Sequence, residues 1–501
     1  MDYSKLQNGS DIRGIALEGI EGQHINLTEA ACRDIGRGAA LWLMKKLGKK
    51  EGIRVAIGRD SRLSGPSLVN WFSTAMAAEG IEVTDLGMAS TPAMFMATVT
   101  NGYEFDGSVM VTASHLPFNR NGFKFFTKQG GAESSEIKEI LAYASGDETS
   151  GVSGGSIISG TFMDTYAKQL ADKIRNVTGE EKPLEGFKIV VDAGNGAGGF
   201  YVEKVLKPLG ANTDGSRFLE PDGSFPNHIP NPEDKEAMES ITAAVKENGA
   251  DFGIIFDTDV DRAGAVLSDG SGLNRNRIIA MLSAILLREH PGTTIITDSI
   301  TSSGLAKFIA EKGGVHHRFK RGYKNVINEC VRLNSEGGDS QLAIETSGHG
   351  ALKENYFLDD GAYLVTKLLI ELARGKKFGY KLESLIETLE EPVESEEFRM
   401  TILLDDFKDY GKMVLSDLEE YAKTKDGWDI VPNNYEGVRV NVDKENGDGW
   451  FLLRLSLHDP ILPLNIESDS LGGVLKIAKD FAKFIAKYDK LDMTKLMSFT
   501  K

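Results

Sequence analysis

A pattern of apolar run, acidic turn and helix recurs three times and restricts what the chain can fold into. The copies read RVAIGRDSRLSG at 54–65, KIVVDAGNGAGG at 188–199 and TIITDSITSSG at 294–304. In each, Asp and small residues separate a β-branched run from apolar residues at helical spacing. Strand, turn, helix and strand at this spacing indicate βαβ units with largely parallel strands. Because the copies lie far apart, we predict three similar α/β domains rather than one large sheet.

The last part of the chain, from about residue 390, has a different pattern. FRMTILLDD, VRVNVD and WFLLRLSLHDPILPLNIES are typical of strands, whereas LEEYAKTKD and GGVLKIAKDFAKFIAKY are typical of helices. These segments predict a smaller α+β domain with an antiparallel sheet. We therefore place four domains at 1–155, 156–270, 271–388 and 389–501.

Charge and cysteine content exclude several classes of function. A formal net charge of −17 argues against nucleic acid or an anionic membrane as a partner. A phosphorylated ligand would therefore need a local group of cations. Cys32 and Cys330 lack metal-ligand spacing and favour reduced thiols over a disulfide framework. With no signal-peptide pattern and no apolar run of membrane-spanning length, we expect a cytoplasmic protein.

A serine lies where a predicted buried strand ends. In GSVMVTASHLPFNRNGFKFF, residues 107–126, a strand-like run precedes Ser114 and His115, and Lys124 follows a loop. Three interpretations compete: a plain turn, a hydrolase nucleophile and a serine that carries a phosphoryl group. The residues around Ser114 do not form the Gly-x-Ser-x-Gly turn of a hydrolase. Because adjacent side chains of an extended segment point to opposite faces, we do not expect His115 to meet Ser114.

An acidic cluster follows another apolar run. The segment IIFDTDVDRAG places Asp257, Asp259 and Asp261 at alternate positions. Three carboxylates repel one another unless a cation neutralises them, and an all-oxygen ligand set suits Mg²⁺. A helix–loop–helix calcium site needs Gly at its sixth position and Glu at its twelfth, where this chain has Arg262 and Ser268. We therefore predict a magnesium site, with a solvated acidic turn as the alternative.

The serine loop and the acidic cluster favour one chemistry together. Three carboxylates leave Mg²⁺ with open positions, which it typically fills with water and a phosphate oxygen. A phosphorylated Ser114 would supply that oxygen, and Arg262 would help to bind the phosphate. The two loops therefore favour a serine phosphate as a covalent intermediate.

The chain resembles the α-D-phosphohexomutases, the family of phosphoglucomutase, phosphomannomutase and phosphoglucosamine mutase. SDIRG at 10–14 is similar to the family's N-terminal Asp-Ile-Arg-Gly, and DGSFPNHIPNPED at 222–234 to a stretch before its metal loop. TASHLPFNRNGFK resembles the phosphoserine loop, FDTDVDR the metal loop and ETSGH at 345–349 the sugar-recognition loop. The motifs occur in the expected order, and the resemblance covers essentially the whole length.

The resemblance implies a fold and a reaction. The fold is three similar α/β domains and a C-terminal α+β domain around a central cleft. The reaction is the Mg²⁺-dependent interconversion of hexose 1-phosphate and hexose 6-phosphate, of glucose or mannose or both. It proceeds through a phosphoserine enzyme and a hexose 1,6-bisphosphate, which is intermediate and activator. The implied protein is an isomerase (an intramolecular phosphotransferase) with a phosphosugar partner, as a monomer or homodimer.

The resemblance also implies roles for individual residues. The catalytic set is Ser114, His115, Lys124 and Arg262. The metal set is Ser114, Asp257, Asp259 and Asp261. The substrate set is Arg13, Glu345, Ser347, His349, Arg454, Ser456 and His458. His115 and Lys124 are the candidates for moving the hydroxyl proton, and a lysine base would need its pKa lowered by nearby cations.

The last motif departs from the family pattern. Where relatives carry Arg-Pro-Ser-Gly-Thr-Glu-Pro, residues 454–460 read RLSLHDP. Leu457 replaces the glycine that would let backbone amides approach a phosphate, and His458 replaces the threonine. Two alternatives therefore stay open: a phosphoglucosamine mutase, and a non-catalytic sugar-phosphate-binding protein on the same fold.

Overall fold

The computed structural model describes residues 2–456 and 459–501. The strands, in chain order, are β1 Gln7–Asn8, β2 Asp11–Ile15, β3 Arg54–Arg59, β4 Glu82–Met88, β5 Gly107–Val111, β6 Arg120–Thr127, β7 Gly130–Gly131, β8 Ser156–Ser159, β9 Ile189–Asp192, β10 Phe252–Phe256, β11 Ala263–Leu267, β12 Gly272–Leu273, β13 Thr294–Thr297, β14 Val315–Arg318, β15 Ser340–Ile344, β16 Gly350–Leu352, β17 Leu358–Asp359, β18 Glu394–Ile402, β19 Trp428–Ile430, β20 Val438–Val442, β21 Gly449–Leu453, β22 Ile461–Ser468 and β23 Leu491–Asp492.

The α-helices are α1 Glu29–Leu47, α2 Gly65–Ala78, α3 Thr91–Val99, α4 Ser134–Ser145, α5 Met163–Thr178, α6 Lys235–Asn248, α7 Arg275–Glu289, α8 Ser303–Glu311, α9 Tyr323–Ser335, α10 Gly361–Phe378, α11 Phe407–Lys423, α12 Gly473–Ile485 and α13 Thr494–Phe499. Short helical turns of other types are Ser4–Leu6, Val202–Leu206, Lys207–Leu209, Lys353–Asn355 and Leu382–Leu385. Among the described residues, no helix combines the length and the apolar character that a membrane crossing requires.

The elements group into two units. The first comprises Met1–Ile278 and Ser347–Leu385, and the second comprises Ile279–Thr346 and Ile386–Lys501. Helix α7 begins in the first unit and ends in the second.

The first copy of the repeat forms the centre of an eight-stranded sheet in the first unit. Strand β3 pairs in parallel with β4 and β5, as the repeat predicts. Strand β6 pairs antiparallel with β5 on one side and β2 on the other. Helices α1, α2 and α4 share one buried apolar cluster with the sheet, where the Phe72 and Phe123 rings stack at 4.8 Å between centroids. This core fixes the strand ends from which functional side chains project.

The second copy forms a smaller sheet in the first unit, in the order β12-β11-β10-β9. Strands β9 and β10 are parallel, but β10 pairs antiparallel with β11, and β11 with β12. The prediction of largely parallel strands is wrong for this sheet. Only the short segment 257–262 joins β10 to β11, and a parallel crossover would need about a dozen residues or more. The acidic cluster is therefore a hairpin loop.

The second unit contains the third copy and the C-terminal sheet. Strand β13 pairs in parallel with β14 and β15, as predicted. The C-terminal sheet has six strands in the order β19-β20-β21-β22-β18-β23, and its neighbouring strands are all antiparallel. Apolar residues of α11 and α12 pack with it in one buried cluster. Three α/β portions and a C-terminal α+β portion confirm the predicted fold class.

Replacing Phe451 tests the core of the C-terminal sheet. Its ring is fully buried and lies 4.7 Å from Trp428 and 5.4 Å from Phe481, between centroids. The cavity left by Phe451→Ala should lower the free energy of unfolding by about 3–5 kcal/mol. Urea unfolding followed by tryptophan fluorescence measures this change. The control Leu471→Ala removes a side chain that is 87% exposed and should cost less than about 0.5 kcal/mol. Equal losses in the two variants would contradict the assignment of this core.

Candidate active site

Ser114 lies just beyond the carboxyl end of β5, in a left-handed backbone conformation with φ of 52°. This conformation turns the chain, so residues 114 and 115 do not form an extended pair. Ser114 Oγ lies 3.3 Å from His115 Nδ1. The expectation that these two side chains would not meet is therefore wrong, because it assumed a strand-like backbone.

Arg262 joins the serine loop to the acidic loop. Its Nη2 donates to Ser114 Oγ at 2.7 Å, to His115 Nδ1 at 2.6 Å and to Asp257 Oδ2 at 3.0 Å. The Ser114 hydroxyl also donates to Asp257 Oδ2 at 3.3 Å. All four side chains are buried or largely buried. The structure thus brings together a hydroxyl, an imidazole, a guanidinium and the first carboxylate of the cluster.

The acidic loop is held in a tight conformation. Oxygens of Asp257, Asp259 and Asp261 lie within 4.8 Å of one another. Between them, Val260 has φ of 67°, a strained value for a β-branched residue. The Gly361 N–H at the start of α10 donates to the Val260 carbonyl at 3.2 Å. A Cβ on Gly361 would lie only 2.5 Å from the Arg262 carbonyl carbon, so only glycine permits this approach.

The carboxylates fit a divalent cation. Asp259 Oδ1 and Asp261 Oδ1 are buried, and neither has a hydrogen-bond partner among the described residues. The second oxygen of each is occupied: Thr91 Oγ1 donates to Asp259 Oδ2, and Lys124 Nζ donates to Asp261 Oδ2 at 2.8 Å. A buried carboxylate oxygen without a partner is costly unless a cation satisfies it. Asp257, Asp259 and Asp261 therefore could hold Mg²⁺.

The same carboxylates have strongly perturbed acidity. Burial and repulsion by Asp261 and Asp259 raise the pKa of Asp257 well above its usual range. Burial alone would also raise the pKa of Asp261, but the charges of Lys124, His349 and Arg262 hold that pKa well below its usual range. A bound cation would favour the ionised form of Asp257 as well, because it would add positive charge to that of Arg262 beside this carboxylate.

Two further predicted cations connect to this cluster. Lys124, on β6, lies with its Nζ 3.9 Å from Asp11 Oδ2 in addition to its contact with Asp261. Arg13 Nη2 donates to the same Asp11 oxygen at 2.8 Å. These contacts bring Asp11 into the group. Asp11 was not predicted as a site residue, although it belongs to the SDIRG motif.

The cations of the site also affect His115. Burial, with the charges of Arg262 and Arg13, lowers the pKa of His115 to about 2.

His349 also belongs to this group, through a partner that the sequence analysis missed. Its Nδ1 lies 2.6 Å from Asp359 Oδ2 and 3.8 Å from Asp261 Oδ1. Burial by itself would lower the pKa of His349, but the Asp359 and Asp261 carboxylates raise it. Asp359 and Asp360 stand directly before α10, and this acidic pair before a helix was the available signal. Ser347 is buried in the same unit.

The remaining predicted substrate residues that the structure describes lie in the second unit. Glu345 Oε1 accepts from the Gly322 N–H at 2.5 Å. Arg454 is 8% exposed, its Nη1 lies 4.0 Å from Glu436 Oε1, and its buried Nε has no hydrogen-bond partner among the described residues. Ser456 Oγ accepts from the Asp459 N–H at 3.3 Å. The predicted residue His458 lies outside the described residues.

Comparison with known proteins gives the family. Profiles described as phosphoglucomutase/phosphomannomutase alpha/beta/alpha domains I, II and III match residues 4–151, 164–270 and 274–392. The curated phosphoglucomutase of Neisseria gonorrhoeae is 32% identical over 482 residues, which cover 95% of each chain. The phosphomannomutase/phosphoglucomutase of Pseudomonas putida is 31% identical over 447 residues, or 88% of this chain and 90% of its own. A phosphoglucomutase/phosphomannomutase family structure from Burkholderia thailandensis has a TM-score of 0.79 at 29% identity, covering 97% of this chain and 98% of that one. The chain belongs to the phosphoglucomutase/phosphomannomutase family.

Mg²⁺ titration tests the acidic loop directly. Asp259→Asn removes one charge from the three-carboxylate set and should weaken Mg²⁺ binding roughly tenfold or more. Isothermal titration calorimetry with Mg²⁺ measures the affinity. Asp429→Asn, on an exposed position of β19, is the matched control and should bind as the parent does. If Asp259→Asn and the parent bind Mg²⁺ equally, the cation does not occupy this loop.

Gly361→Ala tests the contact between α10 and the acidic loop. Because the new methyl group would overlap the Arg262 backbone, the variant should displace the loop and lower Mg²⁺ affinity. Gly146→Ala is the control, since a Cβ there would meet nothing closer than 3.7 Å. Calorimetric Mg²⁺ affinities and thermal unfolding are compared for the three proteins. A Gly361→Ala variant that matches the parent in both would show that the close approach is not required.

Proposed function

We propose that this chain is a phosphohexomutase, an isomerase that interconverts hexose 1-phosphate and hexose 6-phosphate. The observation that carries the proposal is the position of Ser114 Oγ, which contacts both Arg262 Nη2 and Asp257 Oδ2. A nucleophilic hydroxyl beside a guanidinium and a cation-binding carboxylate set is suited to phosphoryl transfer. Family membership supports the same reaction.

Each group of the site takes one role in the proposal. Ser114 carries the phosphoryl group, and Arg262 donates hydrogen bonds to its oxygens. Asp257, Asp259 and Asp261 would hold Mg²⁺ beside the phosphoryl group of Ser114. When bound, Mg²⁺ supplies positive charge that stabilises the charge developing on the transferred group. The site is organised before the substrate arrives, since buried contacts already fix these side chains.

The reaction consists of two phosphoryl transfers. The 6-hydroxyl of hexose 1-phosphate attacks phosphorus, the bond from phosphorus to Ser114 Oγ breaks, and the hydroxyl proton passes through a neighbouring side chain to the departing serine oxygen. The resulting hexose 1,6-bisphosphate reorients and returns its other phosphate to Ser114. His115 is one candidate for proton transfer by position, since its Nδ1 lies 3.3 Å from Ser114 Oγ, and it would have to give up its contact with Arg262 to take the proton. Lys124 is the second candidate for proton transfer.

Residues of the predicted substrate set recognise the sugar and its free phosphate. In the proposal Glu345, Ser347 and His349 bind the hexose hydroxyls, and a carboxylate can accept from two neighbouring hydroxyls. The other members bind the phosphate that is not transferred: Arg13, Arg454, Ser456 and His458. Arg454 supports this role, because its buried Nε lacks a hydrogen-bond partner among the described residues.

Glucose and mannose phosphates are the proposed substrates. The two curated relatives described above carry phosphoglucomutase and phosphomannomutase/phosphoglucomutase as names. A free hexose 1,6-bisphosphate is the proposed activator, because it restores phospho-Ser114 in any molecule that has lost it. The proposal also keeps four domains at 1–155, 156–270, 271–388 and 389–501, a cytoplasmic location, and a monomer or homodimer.

Ser114→Ala tests the proposed reaction. The parent, with Mg²⁺ and a trace of glucose 1,6-bisphosphate, should convert glucose 1-phosphate or mannose 1-phosphate to the 6-phosphate. The variant should lose essentially all turnover while it keeps its thermal unfolding temperature, because the chemistry needs the serine oxygen. Ser135→Ala, on the exposed face of α4, is the control and should be fully active.

The same assay separates the alternatives. Turnover in the Ser114→Ala variant at the parental rate would rule out the phosphoserine mechanism. A parent that converts only glucosamine 1-phosphate would correct the substrate. A folded parent that binds these sugar phosphates and converts none of them would show a binding protein on this fold.

A further inference from the structure

A buried arginine from the first repeat contacts the backbone of the serine loop. Arg62 is fully buried, and its Nη1 donates to the carbonyl oxygens of Pro117 at 2.8 Å and Arg120 at 3.0 Å. Its Nη2 donates to the carbonyl oxygen of Leu116 at 2.6 Å and to that of Ser114. One planar guanidinium therefore satisfies four carbonyl groups of the loop that carries the proposed nucleophile.

The carboxylate beside Arg62, that of Asp60, is connected to the N–H of Ser114. Asp60 Oδ2 lies 3.3 Å from Arg62 Nε, and Thr112 Oγ1 donates to the same oxygen at 2.6 Å. The Ser114 N–H in turn donates to Thr112 Oγ1 at 2.9 Å. The serine N–H is thus connected to Asp60 through Thr112, while the serine carbonyl is bound by Arg62. We call Asp60, Arg62 and Thr112 the loop-holding network.

A motif without an assigned role packs against this network. In DGSFPNHIPNPED, the Phe225 ring centroid lies 5.2 Å from the Arg62 guanidinium carbon. A Cβ on Gly223 would lie 2.4 Å from the Ser61 carbonyl oxygen and 2.7 Å from Arg62 Cα, so this position requires glycine. Further along the motif, Asn231 Oδ1 accepts from Arg262 Nη1 at 3.2 Å. The motif therefore contacts both Arg62, which binds the Ser114 backbone, and Arg262, which binds the Ser114 hydroxyl.

We propose that Arg62 is a positioning residue, which fixes the backbone of Ser114 so that Oγ faces Arg262 and Asp257. The inference rests on the proposed function, since it concerns the same serine. Ser114 has φ of 52°, a conformation that an L-residue adopts only when its surroundings impose it. With Arg62 removed, the buried Ser114 carbonyl and three partly buried carbonyls of the loop would each lose a donor, and the loop would relax toward other conformations. Arg62 touches the backbone and not the hydroxyl, so its effect acts through Ser114.

Arg62→Lys is the first test, because lysine keeps the charge but lacks the planar fork of donors. The rate at which glucose 1,6-bisphosphate phosphorylates Ser114 is followed by intact mass in a single turnover. We expect this rate and kcat to fall about 100-fold, as for a reacting atom displaced by about 1 Å. The KM for glucose 1-phosphate and the calorimetric Mg²⁺ affinity should stay within about twofold, because Arg62 contacts neither the sugar nor the carboxylates of the acidic loop.

Arg37→Lys is the matched control. Arg37 also donates to four backbone carbonyls of the same unit, those of Tyr143, Ala144, Gly146 and Glu148. Its replacement removes the same kind of contact near the end of α4 and should lower thermal stability without slowing Ser114 phosphorylation. A phosphorylation rate in Arg62→Lys equal to that of Arg37→Lys would overturn the proposal.

Two variants of Thr112 test the same network if the Arg62→Lys protein does not fold. Thr112→Val removes only the hydroxyl that connects the Ser114 N–H to Asp60, and Thr112→Ser retains it. Phosphorylation should slow about tenfold in the valine variant and recover in the serine variant. Equal rates in the two variants would count against the loop-holding network.

Hydrogen exchange separates this inference from the proposed function. A parent that takes no phosphoryl group from the bisphosphate would refute the proposed function alone. Independently of activity, Arg62→Lys or Thr112→Val should speed amide exchange in residues 112–120, and Arg37→Lys should not. Unchanged exchange in this segment in both network variants would overturn the positioning role, whatever the activity of the parent.

Discussion

The contact of one guanidinium with a hydroxyl and a carboxylate is the interaction on which this structure depends. Arg262 Nη2 lies 2.7 Å from Ser114 Oγ and 3.0 Å from Asp257 Oδ2, and so connects loops that leave two different sheets. A buried arginine is stable only where carboxylates and hydrogen-bond acceptors surround it. The two loops therefore have to meet at one place, and the hydroxyl is held beside the carboxylates that fit a cation.

The site holds a local group of cations within a protein of negative net charge. Although the net charge is −17, Arg262, Lys124 and Arg13 all contact buried carboxylates within the first unit. These ion pairs fix the positions of the cations before any anion binds, so little reorganisation is needed when a phosphoryl group arrives. Burial and the neighbouring carboxylates raise the pKa of Asp257, whereas the charges of Lys124, His349 and Arg262 lower the pKa of Asp261.

Residues that neither contact the Ser114 hydroxyl nor belong to the three-carboxylate set determine the geometry of the side chains that do. Thr91 donates to Asp259, Asn231 accepts from Arg262, and Asp359 pairs with His349. Gly361 allows α10 to approach the acidic loop. Such outer contacts orient functional side chains and reduce the disorder that would otherwise separate reacting groups. The inference on Arg62 extends this layer to the backbone of the serine itself.

Local patterns in the sequence were sufficient for the fold class and for the residues that share one loop. The period of apolar residues predicted strands and helices, and the alternation in FDTDVDR placed three carboxylates together because they are close in the chain. Two expectations that depended on the path of the backbone were wrong. The segment after β10 turns back as a hairpin instead of leading to a parallel strand, and Ser114 does not have an extended conformation.

Tertiary structure alone decided which distant residues support the site. Arg62 and Asn231 give no signal at the spacing of a helix or a strand, because Ser114 and Arg262, which they contact, lie 52 and 31 residues away in sequence. Such contacts arise where strand ends from one sheet meet a hairpin of another, and where α10 begins against that hairpin. Sequence periodicity records which face of an element is buried, whereas the choice of partner across elements depends on how those faces pack in three dimensions.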